Sequence, residues 1–447
     1  MDRVLCLLIY LLTGIARFSK ILAKLGIGSY EEWKPGKKLR ILLVGYNGAR
    51  NTGSDVRVVA IAQQIRELFG KDHVHITVMT LDAASLEGYF DQDVELLPFS
   101  SLFPLDLYRA CCTHHAALLC EGSTLKSTFA NALTLFMCEA AGIMKSQKKP
   151  CLAYGAEVGQ MEPFLARAAG RLCRDTYFIT RTEASLAMLK KLGLHGHAGT
   201  DAAWQYKGAI PSEEAKRLLR SQGWDGKKPL LGIAVINPFC WPVRSSLVKW
   251  IRGFLGGDFS GQYDHWYYFS DSPKRRARYR HYIRKMTKGI RSFLDQHDYY
   301  PVLIGMERLD EKACRDLRAM LKTDSALFLS GDHCASVMTG ILRELSALVT
   351  SRYHAAVLSM EKGCPIVSVS MDERLDSLMK ELSDDGCCLC HVKDQSLDRK
   401  IRQALIRAEI RRSSSRENIH LYTEKNKQKL SRMGVCLKNY LEKKLGA

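Results

Sequence analysis

The sequence predicts an α/β protein built from two Rossmann-like, doubly wound domains facing a cleft, preceded by an amphipathic helix. Three observations carry that prediction. Short apolar runs alternate with stretches of helical periodicity, the pattern of parallel β-α-β units whose strands are buried on both faces. The alternation runs through residues 39–192 and restarts at residue 230. At 447 residues, the chain is long enough for two cores.

Residues 1–36 read as a helix and a linker. Val4 to Leu12 is apolar, but spans only about half of the roughly 20 residues a bilayer crossing needs. No small-residue cleavage site follows. Ile15, Phe18, Ile21, Leu22 and Leu25 recur at helical spacing, with Arg17, Lys20 and Lys24 expected on the opposite face. Two readings stay open: a helix lying on an anionic membrane, and a helix packed on the body of the protein or on a second subunit. Pro35-Gly36 marks the linker.

The first domain is expected over 37–210. Its first strand covers 39–44, turns at Gly45-Tyr46-Asn47-Gly48 and leads to a helix over 54–69 with Val58, Ile61, Ile65 and Leu68 on one face. Strands follow at 76–79 and 117–120, the latter ending in Glu121-Gly122-Ser123-Thr124. A helix over 131–144, a strand over 151–154 ending at Gly155, a strand over 177–180 and a helix over 183–192 continue the alternation. His114 and His115 precede a strand and read as structural. The boundary falls near 208–211, with Ser212 expected to cap the next helix.

The second domain, over 211–412, has strands at 230–236, 301–304, 326–329, 347–350 and 365–369. An insertion over 239–296 holds Trp241, Trp250, Tyr263, Trp266, Tyr267, Tyr268 and Phe269, then a basic helix with Arg275, Arg276, Arg278, Arg280, Arg284 and Lys285. Such aromatics can stack on sugars and such cations can hold phosphate. A small local core with a solvated charged face is the simpler reading. Residues 413–447 form a helical tail. Two facing domains of this kind are the architecture of GT-B glycosyltransferases.

Composition narrows the partners. A net charge of +19 implies an anionic one: a phosphorylated small molecule, an acidic glycan or a membrane face. No nucleic-acid-binding motif is present, so nucleic acid is not expected. The fifteen cysteines are odd in number and irregularly spaced, and many sit in apolar settings, which suits a reduced cytoplasmic compartment. Cys387-Cys388-Leu389-Cys390-His391 contains a haem-attachment pattern, but nothing else in the chain supports haem or zinc there. No metal and no cofactor are expected.

The most informative segment is Ser351-Arg352-Tyr353-His354, at the carboxyl end of the strand over 347–350. Open α/β sheets bind ligands at that edge, where helix N-termini favour anions. Ser351 is expected to cap a helix carrying Arg352 and His354, an anion clamp and a proton donor in one place. A surface ion pair and a core histidine are the plainer alternative.

Several fragments in order resemble the polysaccharide pyruvyl transferase family, from about residue 39 to 382. They are Gly45-Tyr46-Asn47-Gly48 with Asn51-Thr52-Gly53, Glu121-Gly122-Ser123-Thr124, Tyr154-Gly155-Ala156-Glu157-Val158-Gly159, Arg181-Thr182-Glu183-Ala184-Ser185, Thr200-Asp201, Gly305-Met306-Glu307 with Asp310, Ser351-Arg352-Tyr353-His354 and Gly363-Cys364-Pro365. The resemblance implies transfer of a pyruvyl group from phosphoenolpyruvate to two hydroxyls of one sugar, giving a cyclic ketal and phosphate. Arg352 then fits the donor clamp, His354 the general acid or a phosphate contact, and Arg181 a second anion contact. Asn51, Gly122, Ser123, Gly155 and His333 are further substrate-binding candidates, although Asn51 and Ser123 read equally as turn and helix caps. The acceptor is a glycan or lipid-linked sugar, met in the cytoplasm or peripherally at the inner membrane face.

The chain departs from the family where Glu121 stands in a Gly-rich turn, and Asp55 is displaced by one residue from a Gly-Asp pair. Glu121 is expected beside the cleft, where it would repel an anionic acceptor. Two other functions stay open. A GT-B glycosyltransferase would use Asp372-Glu373 to hold its nucleotide sugar. A non-catalytic glycan-binding relative would keep donor binding without turnover. The sequence sets neither the acceptor sugar nor the oligomeric state.

Overall fold

The computed structural model describes residues 1–91, 93–100, 103–245, 267–268, 271–382 and 388–446. Trp250, Tyr263, Trp266, Phe269 and Cys387 lie outside the described residues.

Two parallel sheets carry the chain. The first has the strand order β3-β2-β1-β4-β5-β6-β7, with β1 Leu39–Asn47, β2 Val74–Thr80, β3 Val94–Pro98, β4 Ala116–Leu119, β5 Cys151–Ala156, β6 Tyr177–Thr180 and β7 His195–Ala198. Strands β1, β4 and β5 are almost wholly buried, as their largely apolar runs require, Arg40 of β1 being only partly buried. Strands β3 and β7 are the two edges of the sheet and are half-exposed, and their polar residues hid them from the apolar pattern. Helix α3, Thr52–Phe69, follows β1 and packs Val58, Ile61 and Ile65 into the core.

A loop over 206–211 leads to the second sheet. It has the order β12-β11-β8-β13-β14-β15, with β8 Leu230–Ala234, β11 Tyr300–Gly305, β12 Ala326–Leu329, β13 Ala347–Thr350, β14 Ile366–Ser370 and β15 Cys388–His391. Between β8 and β11 lie a two-stranded ribbon, β9 Arg244–Ser245 with β10 Tyr267–Tyr268, and the basic helix Pro273–Leu294. That helix buries Tyr279, Tyr282, Ile283 and Met286, while Arg275 donates to the carbonyls of Phe239 and Trp241. Arg275, in the first turn of the helix, therefore fixes the preceding loop.

Two expected caps are corrected. Helix Ser212–Ser221 begins after Pro211 with no side-chain cap, so Ser212 is its first residue rather than its cap. Ser351 does not cap the helix after β13: its Oγ accepts from the Ile236 amide, tying it to the neighbouring strand. The helix is Tyr353–Met360, and Thr350 Oγ1 receives the Arg352 amide instead.

The tail is one long helix, Arg412–Leu445, which runs back onto the first domain. There Gln64 Nε2 donates to the Leu430 carbonyl, Thr200 bonds Asn426, and Tyr440 donates to the Cys151 carbonyl.

At the other terminus, α1 (Asp2–Ile15), a single 3-10 turn and α2 (Ser19–Lys24) form one helical run of 23 residues. This is longer than the apolar stretch alone suggested. The run lies beside the helices Phe103–Thr113 and Asn131–Ser146. Its facing also corrects the sequence reading. Cys6, Ile9, Leu12, Ala16 and Ser19 are buried, whereas Ile15, Phe18, Ile21 and Leu25 face outward together with Arg17, Lys20 and Lys24. The helix is thus packed on the body and still shows an apolar outer row.

Candidate active site

The site lies where the carboxyl edges of the two sheets meet. A cavity there is lined from the first domain by Tyr46, Asn51, Gly53, Ser54, Arg57, Glu121, Gly122, Ser123, Phe129, Leu133 and Arg181. From the second domain come Trp241, Met306, Glu307, Arg352, Tyr353, His354 and Arg374. Six of the residues expected from sequence therefore meet: Asn51, Gly122, Ser123, Arg181, Arg352 and His354. Two do not. Gly155 sits behind the cavity with φ +62°, and its carbonyl accepts from Arg57. His333 lies in the turn after β12, against the ring of Phe328, where burial lowers its pKa.

Arg352 stands just beyond β13, facing the turn after β11. Its Nε and Nη2 donate to Asp310 and Glu307, each at 2.7 Å. Nη1 makes no hydrogen bond among the described residues. Burial works against the charge of Arg352, but Asp310 and Glu307 outweigh it and hold the guanidinium charged. Burial pushes Asp310 up to about 7, against the pull of Arg352. The clamp is thus already held by two carboxylates and offers its remaining donor edge.

A second charge cluster crosses the cleft. Asp201, wholly buried after β7, accepts from Arg57 and from Arg181 Nη1 (2.9 Å), and lies 3.5 Å from His354 Nε2. Burial alone would raise the Asp201 pKa, but Arg57, His354 and Arg181 hold it well below the usual carboxylate range. Arg181 also pairs with Glu157 and stacks 4.6 Å from the Tyr353 ring. Glu157 in turn accepts from Lys126, which bridges to Glu373 of the second domain at 2.8 Å. Buried pairs of this kind are costly to break singly.

Arg57 was missed by sequence reasoning. It lies on α3 and donates to Asp201 and to the carbonyls of Cys120, Tyr154 and Gly155. The signal was an arginine within the apolar face Val56–Val58–Ile61, where a charge has no place without partners. With its donors engaged by carbonyls and a carboxylate, Arg57 braces the ends of β4 and β5.

His354 sits in the first turn of its helix, and burial pushes its pKa down to about 4. Asn51 caps α3, its Oδ1 accepting from the amides of Gly53 and Ser54. Glu121 turns back on its own loop: Oε2 accepts from the Tyr46 amide and Oε1 from the Ser123 amide. Its carboxylate orders the turn. Asp55 lies outside the cavity, wholly buried, and burial pushes it up to about 8. Phe129 and Trp241 meet edge to face at 5.0 Å across the mouth, and Arg374 lies 4.7 Å from the Phe129 ring. His114 and His115 take structural hydrogen bonds from the strand side, to Thr77 and from the Arg40 amide.

Comparisons with known proteins bear on the fold and on the family. Among solved structures, the chain is similar to a UDP-GlcNAc 2-epimerase from Neisseria meningitidis bound to UDP-GlcNAc, with TM-score 0.52 at 9% identity, covering 88% of this chain and 100% of that one. It is also similar to the UDP-GlcNAc 2-epimerase from Methanocaldococcus jannaschii, with TM-score 0.51 at 10% identity over 83% and 92% of the two chains. At such identity these likenesses speak for the GT-B-like fold alone. Comparison with curated proteins finds no significant sequence match. A family model described as polysaccharide pyruvyl transferase matches residues 51–373, a span that begins at the Asn51 cap and contains both Arg181 and the Arg352–His354 pair. The chain is a transferase that belongs to the polysaccharide pyruvyl transferase family.

Proposed function

We propose that the protein transfers a pyruvyl group from phosphoenolpyruvate to two hydroxyls of one sugar in a glycan or lipid-linked glycan. The observation that carries this reading is the edge of Arg352. Two carboxylates hold it charged, its Nη1 makes no hydrogen bond among the described residues, and Arg352 lines a cavity together with Arg181, Arg374 and His354. A dianionic phosphate and a carboxylate on one small donor suit such an arginine-lined pocket. The cavity encloses about 90 Å³, against the roughly 300–1,000 Å³ of pockets that hold larger ligands.

In the proposed reaction, C3 of the donor gains a proton, the first sugar oxygen bonds to C2, phosphate leaves, and the second oxygen closes the ketal. One diol proton ends on the new methyl group and the other on phosphate. His354 is the proposed proton donor. Burial favours its neutral form, and a multiply charged anion beside it favours imidazolium. The aromatic pair Phe129 and Trp241 offers a face for the acceptor ring.

A nucleotide-sugar donor is the second reading, because one structure sharing the fold holds UDP-GlcNAc. Asp372 is buried and bound by Arg374, which closes it to a ribose, whereas Glu373 pairs with Lys126 through one oxygen and stays half exposed. Thermal melting separates the two readings. A ligand at about 100 times its dissociation constant stabilises the native state by about 2.7 kcal/mol. Stabilisation by phosphoenolpyruvate, with phosphate release once a glycan acceptor is added, is expected. Stabilisation by UDP-sugar alone would overturn the proposal, and donor binding without turnover on any acceptor would favour the non-catalytic alternative.

A further inference from the structure

The N-terminal helical run has two faces, and the packing of the protein accounts for only one. Val4, Leu7, Leu11, Phe18, Ile21 and Leu25 form a continuous outer row, each more than half exposed. Exposed apolar rows of this length are rare on a soluble surface unless something covers them. The inner row is firmly seated. Asn131 donates to Asp2 at one end, and Gln147 donates to Ser19 at the other. The helix therefore lies along Asn131–Ser146 rather than standing away from it.

A second feature adjoins the row. A groove of about 1010 Å³ opens beside α2, lined by Lys20, Lys24, Lys34, Lys37, Lys38 and Arg40 among others. Its carboxylates are already taken: Glu32 by Lys20, Glu31 by Arg40 and Glu95 by His75. Lys24, Lys34, Lys37 and Lys38 make no ion pair among the described residues. An apolar row bordered by unpaired lysines matches the interior and the headgroups of an anionic lipid surface in one footprint. A second copy of the chain matches it poorly. An isologous pairing would set lysine against lysine on a protein of net charge +19.

We propose that α1 and α2 dock the protein on an anionic bilayer, lying in the headgroup plane with the outer row in the acyl boundary and the lysine groove on phosphates. The docked end of α1 lies near the cleft, because Asp2 accepts from Asn131, and Leu133, two residues further along the same helix, lines the cavity. The docking is independent of the reaction catalysed.

The test uses the full-length chain and vesicles of phosphatidylcholine with or without one quarter phosphatidylglycerol. Co-sedimentation with the anionic vesicles only is expected. Two variants divide the footprint: Leu7→Asn with Leu11→Asn and Phe18→Asn, and Lys34→Gln with Lys37→Gln and Lys38→Gln. These side chains are exposed, so the melting temperature should stay close to wild type while each variant binds at least tenfold more weakly. No binding to anionic vesicles overturns the proposal, as does binding that both variants leave unchanged. Binding that survives alkaline carbonate would mean a spanning helix instead. A dimer in solution abolished by the first variant would make a second copy the occupant. Both outcomes would also overturn it.

Discussion

Gly53 and His354 are packed so closely across the cleft that a methyl group on Gly53 would stand 2.0 Å from Nδ1 of the imidazole. The first turn of α3 therefore has a glycine because a ring from the other domain occupies the space of a side chain. Gly53→Ala should displace His354 and lower turnover at least 100-fold, the scale of a lost general acid. Overpacking of this kind costs about 1–3 kcal/mol, so circular dichroism should still report a folded protein. Unchanged turnover would show that the position of His354 is immaterial.

Arg352→Ala removes the charge that Glu307 and Asp310 share. Leaving buried carboxylates without their partner costs roughly 3–5 kcal/mol, so this variant should melt well below wild type whether or not a donor is present. Arg352→Lys is the cleaner probe. A lysine keeps the charge but loses the planar fork, and should weaken donor binding about tenfold or more while recovering much of the stability. Calorimetric titration with phosphoenolpyruvate and a melting curve on the same sample would separate the two effects.

Buried acids give the protein a specific pH dependence. Asp55, pushed up to about 8 by burial, and Asp310, pushed up to about 7, stay protonated in the folded state where the unfolded chain has released those protons. Their contribution is full below the unfolded value near 4 and is lost as pH rises through the folded values. His354, His114 and His115 run the other way, because burial lowers each to about 4. Their contribution rises with pH only up to about 6.5, the unfolded value. Between about pH 6.5 and 8 the acids act alone, so the melting temperature should fall. Asp55→Asn should flatten that fall. An equal slope in the variant would place the proton elsewhere.

Glu121 was expected to repel an anionic acceptor. Since its two oxygens accept from the Tyr46 and Ser123 amides, its main effect is on the loop. Glu121→Gln keeps an acceptor but cannot serve both amides as well. It should cost about 1–3 kcal/mol of stability and change KM for the acceptor less than threefold. A large fall in acceptor KM would restore the repulsion.

The scaffold was legible because its strands are buried on both faces. Runs such as those of β1, β8 and β13 have no other stable use. Strands β3 and β7 escaped, since a half-exposed strand mixes polar residues into a short run. The Arg352–His354 pair was legible as a motif after a strand, yet its electrostatic state was not. Glu307 and Asp310 lie more than forty residues earlier in the chain, and the pairing of β11 and β13 on either side of β8 brings them to Arg352. Arg57 was hidden by the helical pattern that made α3 easy to find. The outward facing of Phe18 and Ile21 was hidden because Cys6, Ile9, Leu12 and Ala16 supply a second apolar row, and that row is the one buried against the body.

The return of the helix Arg412–Leu445 to the first domain means that the polypeptide passes between the domains twice, at 206–211 and again along this helix. Bodies tied at one point can swivel in any direction. Tied at two, they keep only rotation about the line through both ties. Opening of the cleft about that line would part the His354–Asp201 and Lys126–Glu373 contacts, which both span the two domains.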